Sequence, residues 1–444
     1  MRILSLLLLT LSLTTAIQAQ TPAQSVTAPP TPHAAIGSPR DLTLREAEAL
    51  ALKNNPQISI GKLQALVAQQ NVRETRSSLM PNAFMSVTAV DAHDSSRIAA
   101  GALNNPIIFA RAASGVTVNQ LITDFGRTGN LLSSSEYQAK AQDKLAAATA
   151  DQITLAVDQV FFNALETREL VNVAQGTVNA RQTFVDKIQA LTNNKLKSDL
   201  DLSFANVDLA RGKLLLLEAR NNYQAALSSL SAVLGFQDQQ NFQPVEEVKD
   251  LTPPPAEVTP LVMQAMQQRP ELQALEDQVN GAQKFSRAEH DLWKPAISAV
   301  GTTGIAPVRD NRLSNWYGAA GVNINLPLFN GFLYDARAKA ADLQTEVNRQ
   351  RLSDARNNVA RDVRNAWQDS QRAFERLSVT RELREQANLS LNLAQSRYNL
   401  GLSSIVEFTQ AELQKTEADI EDTDAKYQYR LTQIVLAFTM SEPK

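Results

Sequence analysis

The 444-residue sequence predicts a mixed α and β fold: long α-helical coiled-coil hairpins joined to four β-strands, with one plan written twice. Three observations predict it. Asn55-Pro56, Leu79-Met80-Pro81 and Asp124-Phe125-Gly126 are answered by Arg269-Pro270, Trp293-Lys294-Pro295 and Phe329-Asn330-Gly331, and the 25-residue step from Pro56 to Pro81 recurs from Pro270 to Pro295. After each glycine comes a long proline-free stretch, ending at Asn193 in one copy (67 residues) and at Gly401 in the other (70). Between the second proline and the glycine the apolar period drops from helical to two. A repeat of about 210 residues is far longer than a solenoid unit.

Residues 1–19 have the signature of a secretory signal peptide: Arg2 as the positive region, Ile3 to Leu13 as the apolar run and Ile17-Gln18-Ala19 before the cut. The run is too short for a spanning helix. Residues 20–40, rich in Pro, Ala, Ser and Thr, read as a flexible leader. The first repeat, 41–235, opens with a helix from Leu44 to Asn54, stopped because Pro56 disfavours helix at the residue before it. A second helix runs from there to Leu79-Met80-Pro81. In the strand Phe84–Val90, Met85, Val87 and Ala89 oppose Ser86 and Thr88; its partner is Val116–Asn119, after a loop from Asp91 to Ala113. A helix over 127–190, a turn from Leu191 to Asp199 and a returning helix with Ala205, Leu209, Gly212, Leu216 and Ala219 along one seam complete the copy.

Residues 236–257 form a polar, proline-rich linker, and 258–444 the second repeat. Its strands are Ala296–Thr302 and a segment in which Val322, Ile324, Leu326 and Leu328 alternate with Asn323, Asn325 and Pro327; Pro307 and Trp316 fall in the loop between. Residues 332–398 contain neither proline nor glycine, a rod of about 100 Å at 1.5 Å per residue. Its seam is read through Val359, Val363, Ala366, Ser370, Phe374 and Leu377. The chain then turns through Tyr398 to Ser404, with Gly401 as the residue just past the helix end.

Composition excludes several classes. There is no cysteine, hence no disulfide framework, thiolate metal site or lipidated cysteine, and a net charge of −3 argues against nucleic acid. The three histidines, His33, His93 and His290, are too scattered for a histidine-rich metal centre, and no cofactor or catalytic constellation is recognisable. Alternating strands fit a membrane strand between lipid and water, or equally a half-buried soluble sheet. After the signal no apolar run can span a bilayer as a helix, so entry into a membrane requires a closed barrel. Four strands cannot close one. Two copies would supply eight strands around a filled interior, and three copies twelve strands around a lumen, continued by a ring of twelve helical passes. That is a duct. A secreted structural coiled coil is the rival reading, but it leaves the duplicated strands without a purpose.

Leu42-Thr43-Leu44-Arg45-Glu46-Ala47 with Asn54-Asn55-Pro56, the strand-ending Leu326-Pro327-Leu328-Phe329-Asn330-Gly331, and Arg397-Tyr398-Asn399-Leu400-Gly401-Leu402-Ser403-Ser404 follow one another along the chain. On these motifs the whole mature sequence resembles the TolC-like outer-membrane efflux protein (outer membrane factor) family. The resemblance implies a homotrimer whose twelve-strand transmembrane barrel sits in the outer membrane and whose helical barrel crosses the periplasm. It also implies a periplasmic adaptor (membrane fusion) protein and an inner-membrane pump or ABC exporter as partners, in a tripartite efflux pump or type I secretion system.

The resemblance further implies a pinched periplasmic mouth just after the second turn, on the pattern glycine, an acid six residues on and another acid three further. Here Gly401 is followed by Glu407 and then by the amide Gln410. Tyr398 matches the family's tyrosine, and Ser403 replaces a basic residue found in some members. In the first copy Asp199 lies six residues after Asn193, which is set against Gly401 although it is not a glycine. Glu407 and Asp199 read equally as helix N-terminal acids that complement the macrodipole. In a trimer, an inward carboxylate becomes a ring of three that favours cations. The expected gate is thus Glu407, Gln410, Tyr398 and Asp199, and the expected adaptor-docking tips are Asn193, Asn194, Lys195, Gly401, Leu402 and Ser403.

Overall fold

The computed structural model describes residues 40–91, 111–246, 251–308 and 314–441. The signal peptide and all but the last residue of the leader lie outside the described residues, as does most of the loop expected over 91–113. Each half runs helix, helix, strand, strand, long helix, returning helix. The first half holds α1 (Leu44–Asn54), α2 (Pro56–Ser77), β2 (Asn82–Val90), β3 (Arg111–Thr123), α3 (Arg127–Asn193) and α4 (Asp199–Val233). The second holds α5 (Thr259–Gln268), α6 (Pro270–His290), β5 (Ala296–Val308), β6 (Trp316–Asn325), α7 (Leu333–Asn399) and α8 (Ile405–Met440). Short strands β1 (Arg40–Leu42) and β4 (Phe242–Pro244) pair with each other.

Local chemistry sets the boundaries. Thr43 and Glu46 form a reciprocal capping box at the start of α1. Asn55 ends α1 and caps α2, its Oδ1 accepting from the Gln57 backbone at 2.9 Å, while Pro56 takes the first helical position. Where strands hand over to long helices, two consecutive residues adopt positive φ: Phe125 (54°) and Gly126 (103°) before α3, Gly331 (64°) and Phe332 (66°) before α7. Gly126 therefore corresponds in geometry to Phe332, not to Gly331. With that register both long helices are 67 residues.

The strands form one antiparallel sheet in the order β2-β3-β5-β6, so the two halves meet at the β3–β5 pairing, where Thr117 faces Thr302. Within this chain β2 and β6 are the sheet edges. Gly115 and Gly304 face each other, and a Cβ on either would collide with the Tyr317 hydroxyl, so the tyrosine ring lies over the backbone that the glycines leave bare.

Strand limits differ from the sequence reading. β2 begins at Asn82 rather than Phe84, and β3 runs over Arg111–Thr123 rather than Val116–Asn119, because its pairing with β2 continues into the end of the expected loop. Three limits in the second half move as well. β5 runs on to Val308 and includes Pro307, because the register slips there: Ser114 pairs with Ile305, but Ala112 pairs with Val308. A bulge tolerates a residue without an N–H. Trp316 is the first residue of β6 rather than part of a loop, and it pairs with Ile305. At the other end β6 stops at Asn325, opposite Ala296, the first residue of β5; Leu326 to Leu328 have no partner strand, and Pro327 could not donate to one.

The helical core is a set of coiled-coil seams. In α7 the buried residues Val359, Ala366, Ala373, Thr380, Ala387 and Ala394 fall every seventh position, a repeat that imposes a left-handed supercoil. The seam passes through Ala373 rather than the half-buried Phe374 expected from sequence, since a small residue lets the neighbouring backbone approach. In α4 Ala205, Leu209, Gly212, Leu216 and Ala219 are all buried, as the spacing predicts. α3 packs on α4, α2 and α6; α7 packs on α8 and α6; α3 and α4 both meet α8, which joins the hairpins. The segment read as a polar linker is built into this body: Phe242 is buried in the cluster around Phe161 and Leu230, the Trp367 indole donates to the Pro255 carbonyl at 2.8 Å, and the Tyr429 hydroxyl donates to that of Thr252.

Candidate functional site

The two hairpins end in turns of one design. At the end of α7, Gly401 has φ 73°, its N–H donates to the Tyr398 carbonyl at 3.1 Å, and the Leu402 N–H donates to that of Arg397 at 2.8 Å. This is the Schellman arrangement. At the end of α3 the same two bonds run from Lys195 to Thr192 (2.9 Å) and from Leu196 to Leu191 (2.8 Å), and Lys195 takes the left-handed φ of 58°. Ser198 and Ser404 then cap the returning helices, accepting from the backbone N–H of Asp201 and Glu407 respectively.

This geometry corrects the register read from sequence. Lys195, not Asn193, stands where the other hairpin has Gly401, and Asp201, not Asp199, is the counterpart of Glu407. The first turn manages without glycine because one non-glycine residue in the left-handed region is tolerable when two hydrogen bonds and a cap hold it. The signal was present in the sequence: Leu196-Lys197-Ser198-Asp199-Leu200-Asp201 and Leu402-Ser403-Ser404-Ile405-Val406-Glu407 share Leu-x-Ser-x-x-acid, the last four residues being a capping box pattern.

Behind the turns lies an aromatic cluster that joins the hairpins. Tyr398 of α7 and Phe408 of α8 are each 2% exposed and stack at 5.9 Å. Phe184 of α3 lies 4.3 Å from Phe408 and 5.8 Å from Tyr398. The Lys197 ammonium sits 3.9 Å over the Tyr398 ring, and the Lys187 ammonium donates to Asn399 Oδ1 across the hairpins at 2.8 Å. Burial first, then the Asp201 charge, pushes the Tyr398 hydroxyl up to about 12, so it stays protonated through the physiological range.

Of the expected gate residues, Tyr398 is thus buried in the joint between hairpins, while Glu407, Gln410 and Asp199 are exposed in this chain. Glu407 is not alone: its Oε1 lies 3.1 Å from Arg397 Nε, across the turn. Asp201 instead closes a reciprocal capping box with Ser198. Among the expected tip residues Asn193, Asn194, Lys195, Gly401 and Leu402 are exposed and Ser403 is half-buried. Leu196, inside the expected first turn, is exposed as well. Together with Leu400 and Leu402 it leaves three leucines 66–74% exposed at the turns.

The profile of the family described as outer membrane efflux protein matches residues 49–236 and 261–440, which is most of the chain, in two segments. Outer membrane protein TolC of Salmonella enteritidis is 21% identical over 431 residues, covering 90% of this chain and 83% of that protein. The cobalt-zinc-cadmium resistance protein CzcC of Cupriavidus metallidurans is 24% identical over 319 residues, 71% of each chain. The fold matches that of the CmeC outer membrane channel of Campylobacter jejuni with a TM-score of 0.77 at 17% identity, over 89% of this chain and 85% of that one. The chain accordingly belongs to the outer membrane efflux protein family: it is an efflux channel of the outer membrane with a large periplasmic portion, and not an enzyme.

Proposed function

We propose that three copies of this chain, freed of residues 1–19, close a twelve-strand barrel in outer-membrane lipid and a helical tube below it. The tube forms the exit duct for an inner-membrane pump or ABC exporter reached through a periplasmic adaptor. The observation that carries this reading is the four-stranded sheet with β2 and β6 as its open edges. Unpaired edges are not viable in hydrocarbon, so β2 of one copy must find β6 of the next. The matching element order of 41–235 and 258–444 supports one plan duplicated, each half supplying two strands and one hairpin.

In this assembly the hairpin tips at Asn193, Asn194, Lys195, Gly401, Leu402 and Ser403, with the leucines Leu196 and Leu400 beside them, receive the adaptor. Glu407 and Gln410 face the narrowing lumen. Tyr398, with Asp199 and Asp201 at the head of α4, forms the resting joint that parts on opening. Light-scattering mass of the purified protein in mild detergent tests the assembly. Three chains per particle are expected, and a folded monomer or dimer would reject the twelve-strand barrel.

A further inference from the structure

Where α8 crosses the first hairpin, buried carboxyls outnumber cations. Arg181 of α3 is 5% exposed; its Nε lies 3.2 Å from Asp208 Oδ2, and its Nη1 donates to the Asp208 backbone carbonyl at 2.8 Å. Glu412 of α8, 8% exposed, turns its carboxyl toward that of Asp208 on α4. Its Oε2 is buried without a donor in the described chain. Two ionised carboxyls cannot hydrogen-bond each other, because neither has a donor. One guanidinium against two carboxyls is neutral only while one proton remains, and an uncompensated buried charge is strongly unfavourable. Burial first, then the Asp208 charge and the bond to it, pushes Glu412 up to about 7 from an ordinary 4.5. The charged groups facing it are Asp208, Arg181 and, on its own helix, Lys415, whose ammonium is already paired with Asp419.

A less buried carboxyl pair lies about three turns further along α8. Asp424 pairs with Arg376 of α7 at 2.8 Å and hydrogen-bonds Glu166 of α3, which burial and then Asp424 push up to about 7. Both pairs bridge the two hairpins.

We propose that the proton shared by Asp208 and Glu412, seconded by the one shared by Glu166 and Asp424, is a latch between the two helical hairpins of a chain, holding the tube closed in acid and releasing it as pH rises. The proposal rests on the reading that the channel opens by parting the hairpins. Once they part, the carboxyls meet water and return to ordinary behaviour, so the latched form binds the proton more tightly. The latch is at full strength below about pH 4.5 and is lost as pH rises through about 7. By that linkage Glu412 alone lowers the closed-to-parted ratio about fiftyfold between pH 5 and pH 7.5.

The sequence has no cysteine, so spin labels on Asn206→Cys and Gln414→Cys, exposed sites on α4 and α8, read the separation of the hairpins. The full-length protein is diluted with unlabelled chains and reconstituted in lipid. The distance should lengthen between pH 5 and pH 8, with the change falling between about pH 4.5 and about 7 and levelling off above it. Glu412→Gln, which keeps a hydrogen bond but cannot ionise, should hold the short distance throughout. Asp208→Asn, which leaves Glu412 to Arg181 alone, should also abolish the transition. A distance independent of pH in the parent protein, or an unchanged transition in both variants, overturns the latch. Conductance is recorded in parallel, with Glu166→Gln/Glu412→Gln expected to lose its pH response. A distance that responds to pH while conductance does not supports the latch and overturns the opening mode instead.

Discussion

Replacing Phe408 by alanine should unlock the resting mouth without unfolding the protein. Phe408 is 2% exposed, and its ring touches Phe184 of the first hairpin at 4.3 Å and Tyr398 of the second at 5.9 Å. Emptying a site of this kind costs about 3–5 kcal/mol in lost burial and cavity, within which each aromatic pair accounts for about 0.5–1.5 kcal/mol. Much of that contact lies between hairpins, so its loss falls on the joint rather than on either hairpin. At about 1.4 kcal/mol per tenfold, the share of this cost that lies between hairpins should lower the closed-to-open ratio by at least about tenfold and at most about a few thousandfold per chain. Single-channel recording reads the ratio directly, and hydrogen exchange should show lost protection around Val185 and Ile188. Phe161→Ala is the control. Phe161 is 1% exposed and belongs to the separate cluster around Leu230 and Phe242, so it should lower the melting temperature comparably and leave gating alone. If Phe408→Ala keeps the parent's open probability while the assembly stays folded, the aromatic cluster does not hold the mouth shut.

Two further outcomes test the tips and the lumen. Gly401→Val forces a β-branched residue to φ 73°, a strain of about 1–3 kcal/mol, and Leu402→Glu charges an exposed apolar knob; both should abolish export with assembly and membrane insertion intact, and normal export in both would remove the tips from adaptor docking. Glu407→Ala should weaken cation preference in bilayer conductance and Gln410→Ala should change it little, whereas Arg397→Ala, which frees Glu407 from its 3.1 Å partner, should strengthen it; an unchanged reversal potential in Glu407→Ala and Arg397→Ala would place the pair outside the lumen.

Much of this fold is written in local chemistry. Pro56 and Pro270 start helices, the absence of proline from 127–190 and 332–398 permits the long rods, and the small seam residues of α4 are buried where their spacing puts them. Strand limits were less legible because pairing, not propensity, sets them. Pro307 reads as loop until the bulge opposite Ala112–Ser114 accommodates it, and Leu326 and Leu328 alternate like a strand but have no partner beyond Ala296. The tips show a different limit. Aligning the turns on glycine shifted the first hairpin by two residues, since Lys195 adopts a conformation that sequence rules reserve for Gly or Asn. The buried contacts of Arg181, Asp208 and Glu412 were invisible: each reads as an ordinary solvated charge on a helix, and only the crossing of three helices takes them out of water.

Equal helices of 67 residues, each entered through two left-handed residues and left through the same turn, act as a matched pair of gauge rods. Adding one residue to either would turn its tip by about 100° and lift it 1.5 Å relative to the other. The leucines of the two turns would then face different directions at different heights. Insertions that keep both tips in phase must come in sevens, which preserve the seam, and in both halves together. The length of this duct can therefore change only in steps of about 10 Å, so in the proposed assembly a cell envelope of another depth would have to be spanned by the adaptor rather than by this chain.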